Sequence, residues 1–196
     1  MKLVIGLGNP GQNYEMTRHN AGFLFLDFLQ KEFDFEPFTP DKKMLAEISS
    51  GMLKDQKILL IKPTTFMNDS GTTVQALLQF YKLTPSDIVV IHDDLDITPR
   101  NYRVTLSSRP AGHNGVTDII EKLGTQDFFR FRLGIGHPAE VLGACLPAEL
   151  PASNRIRAGI STHDYVLQKF TPEEFATLSA LFPRVKEEIV SWIHKK

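Results

Sequence analysis

The 196-residue chain holds one cysteine, Cys145, so it cannot close an internal disulfide. It also lacks an excess of either charge: 22 Lys and Arg stand against 23 Asp and Glu, for a formal net charge of -1. That balance points to no polyanionic partner, and any nucleic-acid contact must come from a local patch. Long apolar runs are missing too, since stretches such as Ala21 to Leu29 meet a charge well before the ~20 residues that a spanning helix needs. The start, MKLVIGLGNPG, lacks the apolar stretch and cleavage site of a signal peptide, so a reducing cytoplasm is the expected setting. No repeat, low-complexity tract or linker-like break divides residues 1–196, which read as one domain; 42% hydrophobic composition is enough for a sizeable core.

What is present is an alternation of apolar runs and loops. Lys2 to Gly6 reads as a buried strand, followed by a loop rich in Gly, Asn and Pro up to Asn20 and a helix from Ala21 to about Phe33. Met44 to Ser50 and Gln56 to Ile61 flank a polar turn and predict a hairpin, and Asp69 or Ser70 is expected to cap a helix reaching Tyr81. Asp87 to Ile91 is a second buried strand. Tyr102 to Leu106 and Arg130 to Gly136 alternate as strands do, with a helix from Gly115 to Leu123, closed by Gly124, between them. Pro138 to Thr162 shows little periodicity and predicts a long excursion. Thr171-Pro172-Glu173-Glu174 opens a helix towards Trp192 that Pro183 should kink or split. Strands interleaved with helices imply an α/β fold with one central sheet.

Chemistry-bearing residues gather at the breakpoints of this pattern: Asn9, His19, Asn68, Asp93 and Asn114. One histidine, one carboxylate and three neutral amides suit water attack on an ester or amide, because they offer a base, an orienter and carbonyl-binding groups. His19 directly precedes an apolar helix, whose N-terminus would favour the neutral, proton-accepting ring. The run His92-Asp93-Asp94-Leu95-Asp96 ends a strand, where ligands gather in open α/β sheets; if it stays extended, Asp94 and Asp96 share a face and Asp93 points away. Thr64-Thr65-Phe66-Met67-Asn68 and Gly112-His113-Asn114-Gly115 place amides beside capping chemistry. An amide both donates and accepts, so it pairs with a peptide backbone whatever the side chain. Between Arg100 and Arg132, six basic residues oppose three acidic ones, and Arg103 and Arg132 lie on two candidate strands where they could face a phosphate together.

Other readings of the same residues stay open. Gly6-Leu7-Gly8-Asn9-Pro10-Gly11 fits a dinucleotide fingerprint, although Pro10 removes a backbone donor and Asp27 falls inside a helix. The acidic run could bind a divalent metal, but it lacks matching ligands at regular spacing elsewhere. Cys145, Ser107 or Ser108 could act as a nucleophile, though no local histidine signature accompanies them. His19 itself could be a capping or core histidine. A non-catalytic RNA or nucleotide binder, using the glycine turn and the arginines, is the competing class.

The order NPG, TRHNAG, TTFMN, HDDLD, GHNG and LGIGHP resembles bacterial peptidyl-tRNA hydrolase along nearly the whole chain. The resemblance implies a monomeric α/β enzyme of the phosphorylase/hydrolase-like kind, with a central twisted mixed sheet flanked by helices. It implies no cofactor and no metal, and cleavage of the ester between a peptide and the terminal ribose of tRNA. By position, His19 would be the general base and Asp93 its orienter. Asn9, Asn68 and Asn114 would hold carbonyls and water, with Tyr14, Phe66, Met67 and His113 lining the cleft. Arg103 and Arg132 would grip tRNA phosphate. Two departures stand out. The usually glycine-rich segment before GHNG here reads Leu106-Ser107-Ser108-Arg109-Pro110-Ala111, and the excursion from Glu140 to Thr162 is longer than usual.

Overall fold

Runs of apolar residues without alternation belong to strands buried on both faces, and the computed structural model, which describes residues 1–137 and 160–194, places them so. β1 (Lys2–Gly6), β4 (Gln56–Pro63), β5 (Ile88–Asp94) and β7 (Phe129–Gly134) run parallel in the middle of a seven-stranded sheet. β2 (Thr39–Asp41) and β3 (Ala46–Leu53) extend it antiparallel at one side, and β6 (Tyr102–Leu106) at the other, giving the order β2-β3-β4-β1-β5-β7-β6. β2 has no counterpart in the expected elements: three residues around Pro40 carry no periodic signal, and a proline is tolerated on such an edge strand.

Pleating sends alternate side chains into two cores. Val4, Leu60, Val89, Ile91 and Phe131 meet Phe25, Leu26 and Leu29 of α1 (Ala21–Glu32) and Phe182, Val185 and Ile189 of α6 (Phe182–His194). Leu3, Ile5, Leu59, Ile61 and Val90 meet Val74 and Leu77 of α2 (Ser70–Tyr81) and Val116 and Ile119 of α3 (Asn114–Leu123). Each such fully buried side chain contributes roughly 1.5–3 kcal/mol. The Thr171 capping box opens α5 (Pro172–Ser179), and the expected long C-terminal helix is split into α5 and α6, with Pro183 in the first turn of α6. α4 (Thr162–Val166) precedes them.

Two local expectations are corrected. Neither Asp69 nor Ser70 caps α2 through its side chain; instead the Gly71 N–H donates to Asp118 Oδ2 at 2.6 Å, so α3 supplies the cap. Asp94 and Asp96 do not share a strand face, because β5 stops at Asp94 and the Asp96 N–H turns back to donate to Asp94 Oδ1 at 2.9 Å.

Two glycines flanking the first loop, Gly6 at the end of β1 and Gly22 in α1, serve close packing. A Cβ at Gly22 would lie 2.4 Å from both the Ile91 carbonyl oxygen and the Leu7 nitrogen, and one at Gly6 would lie 2.5 Å from the Gly22 carbonyl oxygen. α1 therefore sits flush on the sheet, and the residues just before it are fixed relative to β5. Gly22→Ala must lift α1 off the sheet, at an expected cost of about 1–3 kcal/mol. Thermal unfolding checks this: Tm should fall by roughly 2–4 °C per kcal/mol.

Residues reach the carboxyl edge of the parallel strands in strand order. Thr64 follows β4, Asn9 lies beyond β1, Asp93 nears the end of β5, and Arg132 on β7 stands opposite Arg103 on β6.

Candidate active site

A cleft of about 560 Å³ opens at this edge, and nine residues singled out in the sequence line it: Asn9, Tyr14, His19, Phe66, Met67, Asn68, Asp93, His113 and Asn114. Arg103 and Arg132 are not in its lining. His19 arrives on a 3-10 turn, Arg18–Asn20, immediately before α1. Its position is set by the buried Arg18, which makes a two-armed ion pair to Glu174 (2.8 and 2.7 Å) and stacks on the Tyr165 ring.

At the centre lies Asp93, 2% exposed. His19 Nδ1 is 3.0 Å from both of its carboxylate oxygens, and His113 Nε2 is 3.1 Å from Oδ1. These partners fix the ring protons. His113 Nδ1 accepts the Val116 N–H at 3.3 Å, capping α3, so its proton is on Nε2 and donates to Asp93. His19 donates from Nδ1, which leaves Nε2 with a lone pair.

The electrostatics follow from burying one carboxylate between two rings. Burial alone would raise the Asp93 pKa, but His19 and His113, by charge and hydrogen bonding, hold it well below the usual carboxylate range. Burial also disfavours charge on His19, yet the Asp93 charge and hydrogen bond outweigh it and raise the pKa above its ordinary 6.5. The helix N-terminus was expected to favour the neutral ring; the adjacent carboxylate reverses that sign. For His113 burial wins, and its pKa is lowered. His92, buried with Nδ1 donating to the Asp93 carbonyl at 2.6 Å, is pushed well below its ordinary value by burial and then by His113.

The amides have defined orientations. Asn9 Oδ1 accepts the Met67 N–H at 2.8 Å, so its Nδ2 is the donor left over, with no partner among the described residues. Asn20, not singled out in the sequence, holds Asn9 by a reciprocal pair: its Oδ1 accepts the Asn9 N–H at 2.8 Å and its Nδ2 donates to the Asn9 carbonyl at 3.0 Å. Asn68 and Asn114 are exposed in the cleft wall, and Asn114 opens α3. The segment before His113 is held by the buried Arg130, whose guanidinium donates to the carbonyls of Ser108 and Arg109. Ser107 and Ala111 take positive φ angles, 54° and 51°, a region that glycine enters at less cost.

Arg103 and Arg132 share a face as direct cross-strand partners. Arg103 is exposed, whereas Arg132 Nε donates to Asp94 Oδ2 at 2.5 Å. The alternatives fare differently. The glycine turn is not followed at once by a helix, since α1 begins only at Ala21, so no helix N-terminus faces a pyrophosphate there. Ser107 bonds Asp127 and Ser108 bonds Thr105, both outside the cleft lining, and Cys145 lies outside the described residues, as does most of the Glu140 to Thr162 excursion. His19, Asp93 and His113 offer ligand atoms within 4.8 Å of one another and are the group that could hold a metal ion among the described residues. Regular spacing could not have shown this group, because it draws on three distant segments. A metal would have to displace the two N–H donors that Asp93 now accepts.

Comparison with known proteins decides the family, because a model of peptidyl-tRNA hydrolase matches residues 3–196. The chain belongs to the peptidyl-tRNA hydrolase family. It is 40% identical over 194 residues to the Desulfitobacterium hafniense peptidyl-tRNA hydrolase, covering 98% of this chain and 92% of that one. It is 51% identical over 140 residues to that of Neisseria meningitidis serogroup A, covering 71% of this chain and 72% of the relative. A crystal structure of the Acinetobacter baumannii enzyme superposes with a TM-score of 0.77 at 29% identity, over 98% of this chain and 92% of that one. The enzyme hydrolyses peptidyl-tRNA and releases tRNA.

Proposed function

We propose that His19 Nε2 is the general base of this hydrolysis, and the observation that carries the reading is Nδ1 at 3.0 Å from both oxygens of a buried carboxylate. Asp93 fixes the tautomer and opposes the positive charge that forms on the ring. Water gives its proton to Nε2 as its oxygen bonds to the ester carbonyl carbon; the carbon–ribose oxygen bond then breaks, and the imidazolium returns the proton to the leaving 3′ oxygen. Asn68 and Asn114 steady the oxyanion, helped by the positive end of α3 at Asn114. Asn9 Nδ2 holds a peptide carbonyl, and Tyr14, Phe66, Met67 and His113 form the walls. Such uncharged hydrogen bonds accept many peptides.

The tRNA is read by charge at the β6–β7 side, where Arg103 and Arg132 contact phosphate. Arg103→Ala should weaken tRNA binding and reduce the slope of log K against log salt by about 1, because one phosphate contact fewer releases counterions. Binding measured across a salt series checks this, and an unchanged slope removes Arg103 from the interface. No described helix is long and apolar enough to cross a membrane; the reading adds a cytoplasmic monomer with no obligate partner.

Incubation with an N-acetyl-aminoacyl-tRNA in the presence of chelator tests the proposal. Ester loss supports a metal-free general-base hydrolase. Retention of intact substrate overturns the general-base proposal, and hydrolysis that chelator stops returns the His19, Asp93 and His113 group to a metal role.

A further inference from the structure

A second cavity, of about 490 Å³, shares Asn9 with the catalytic cleft. Phe23 and Leu24 of α1 and Pro63 at the end of β4 give it apolar surface. Among the described residues its one cation, Lys62, is committed: Nζ lies 2.5 Å from Asp27 Oδ1 and 4.3 Å from the Phe38 ring centre. Glu15 and Glu47 also line it, both exposed and without an ion pair among the described residues. The described lining therefore carries a net charge of two negatives, three carboxylates against one ammonium.

Place in the fold gives this cavity a direction. Along the carboxyl edge of the sheet the order is Arg103 and Arg132 on β6 and β7, Asp93 on β5, Asn9 beyond β1, then Lys62 on β4 with Glu47 opposite it on β3. The arginines stand at one end of this row and the acidic cavity at the other, with the proposed base between them. An ester with tRNA phosphate at the arginine end has its peptide leaving towards Asn9.

We infer that the second cavity is a subsite for the peptide residues upstream of the ester-linked one, and that it favours a basic side chain. The inference rests on the proposed placement of ester and tRNA. The ester-linked residue occupies the cleft, and an extended chain advances about 3.3–3.6 Å per residue, so the next one or two residues are the first to pass Asn9. A lysine or arginine stem covers Phe23, Leu24 and Pro63 while its charge meets Glu15 and Glu47. An upstream glutamate meets like charge at the same place.

The test is the hydrolysis of N-acetyl-X-Ala-tRNA and N-acetyl-X-Ala-Ala-tRNA, with X as Lys, Ala or Glu, beside N-acetyl-Ala-tRNA, which has no upstream residue. kcat/KM for Lys should exceed that for Glu by about fivefold in at least one series, the size that one partly exposed charge pair supplies, and the difference should appear in KM. Glu47→Lys, and separately Glu15→Lys, should shrink or reverse that ratio. Equal kcat/KM for Lys, Ala and Glu, with N-acetyl-Ala-tRNA hydrolysed normally, overturns the subsite and leaves the catalytic proposal standing. A ratio untouched by both substitutions also overturns it. Failure to hydrolyse N-acetyl-Ala-tRNA overturns the catalytic proposal, and the subsite with it.

Discussion

His19→Ala should lower kcat by about 10²–10⁴-fold while tRNA binding stays within a few-fold of the parent, because the change removes a proton acceptor and not a phosphate contact. The expected loss is large because Nε2 is the ring nitrogen left free once Nδ1 is engaged by Asp93. The neighbouring ring on Asp93 is no ready substitute. His113 has Nδ1 on the Val116 N–H and Nε2 on Asp93, and burial lowers its proton affinity. Single-turnover hydrolysis with binding measured in parallel separates the two effects. Near-parent turnover in the alanine variant would remove His19 from the chemistry.

Asp93→Asn should lower kcat by roughly 10²–10³-fold, the scale of losing one preorganised electrostatic partner. It should also shift the pH profile in a defined direction. In the parent, Asp93 raises the His19 pKa above 6.5, so activity is lost as pH falls through a value above 6.5, where the base becomes protonated. Without the carboxylate charge, burial is left to act on His19, and burial lowers its pKa. The acid limb of kcat/KM in Asp93→Asn should therefore move to lower pH even as the plateau drops. A plateau that falls with the acid limb unmoved would mean that Asp93 acts through the fold and not through the charge of His19.

The central strands were readable because KLVI and DIVVI are too short and too β-branched for anything else, and the loops at their ends carried the amides. Asn9, His19, Asn68, Asp93 and Asn114 sat at those breakpoints, and the fold gathers all five around one cleft. The proton arrangement was not legible. His19 and Asp93 are 74 positions apart, so neither the ring nitrogen involved nor the sign of the pKa shift follows from local sequence. Asn20 was hidden beside His19 because an asparagine before a helix looks like a cap; here it locks Asn9 instead. Arg130 looked like one more charge in an alternating strand, and its grip on the Ser108 and Arg109 carbonyls is a tertiary contact without a local signal. The tight passage of α1 over β1 had a visible trace in Gly6 and Gly22, but only the packed geometry shows that their missing Cβ atoms set the approach.

A ¹⁵N NMR titration of the His19 ring, followed beside kcat/KM over the same pH range, measures the proton arrangement itself. The neutral ring should carry its proton on Nδ1, with a pKa above 6.5 that coincides with the acid limb of activity. A proton on Nε2 would contradict the assignment of that nitrogen as the acceptor of the water proton, and a pKa below 6.5 would contradict the hold of Asp93 on the ring's charge.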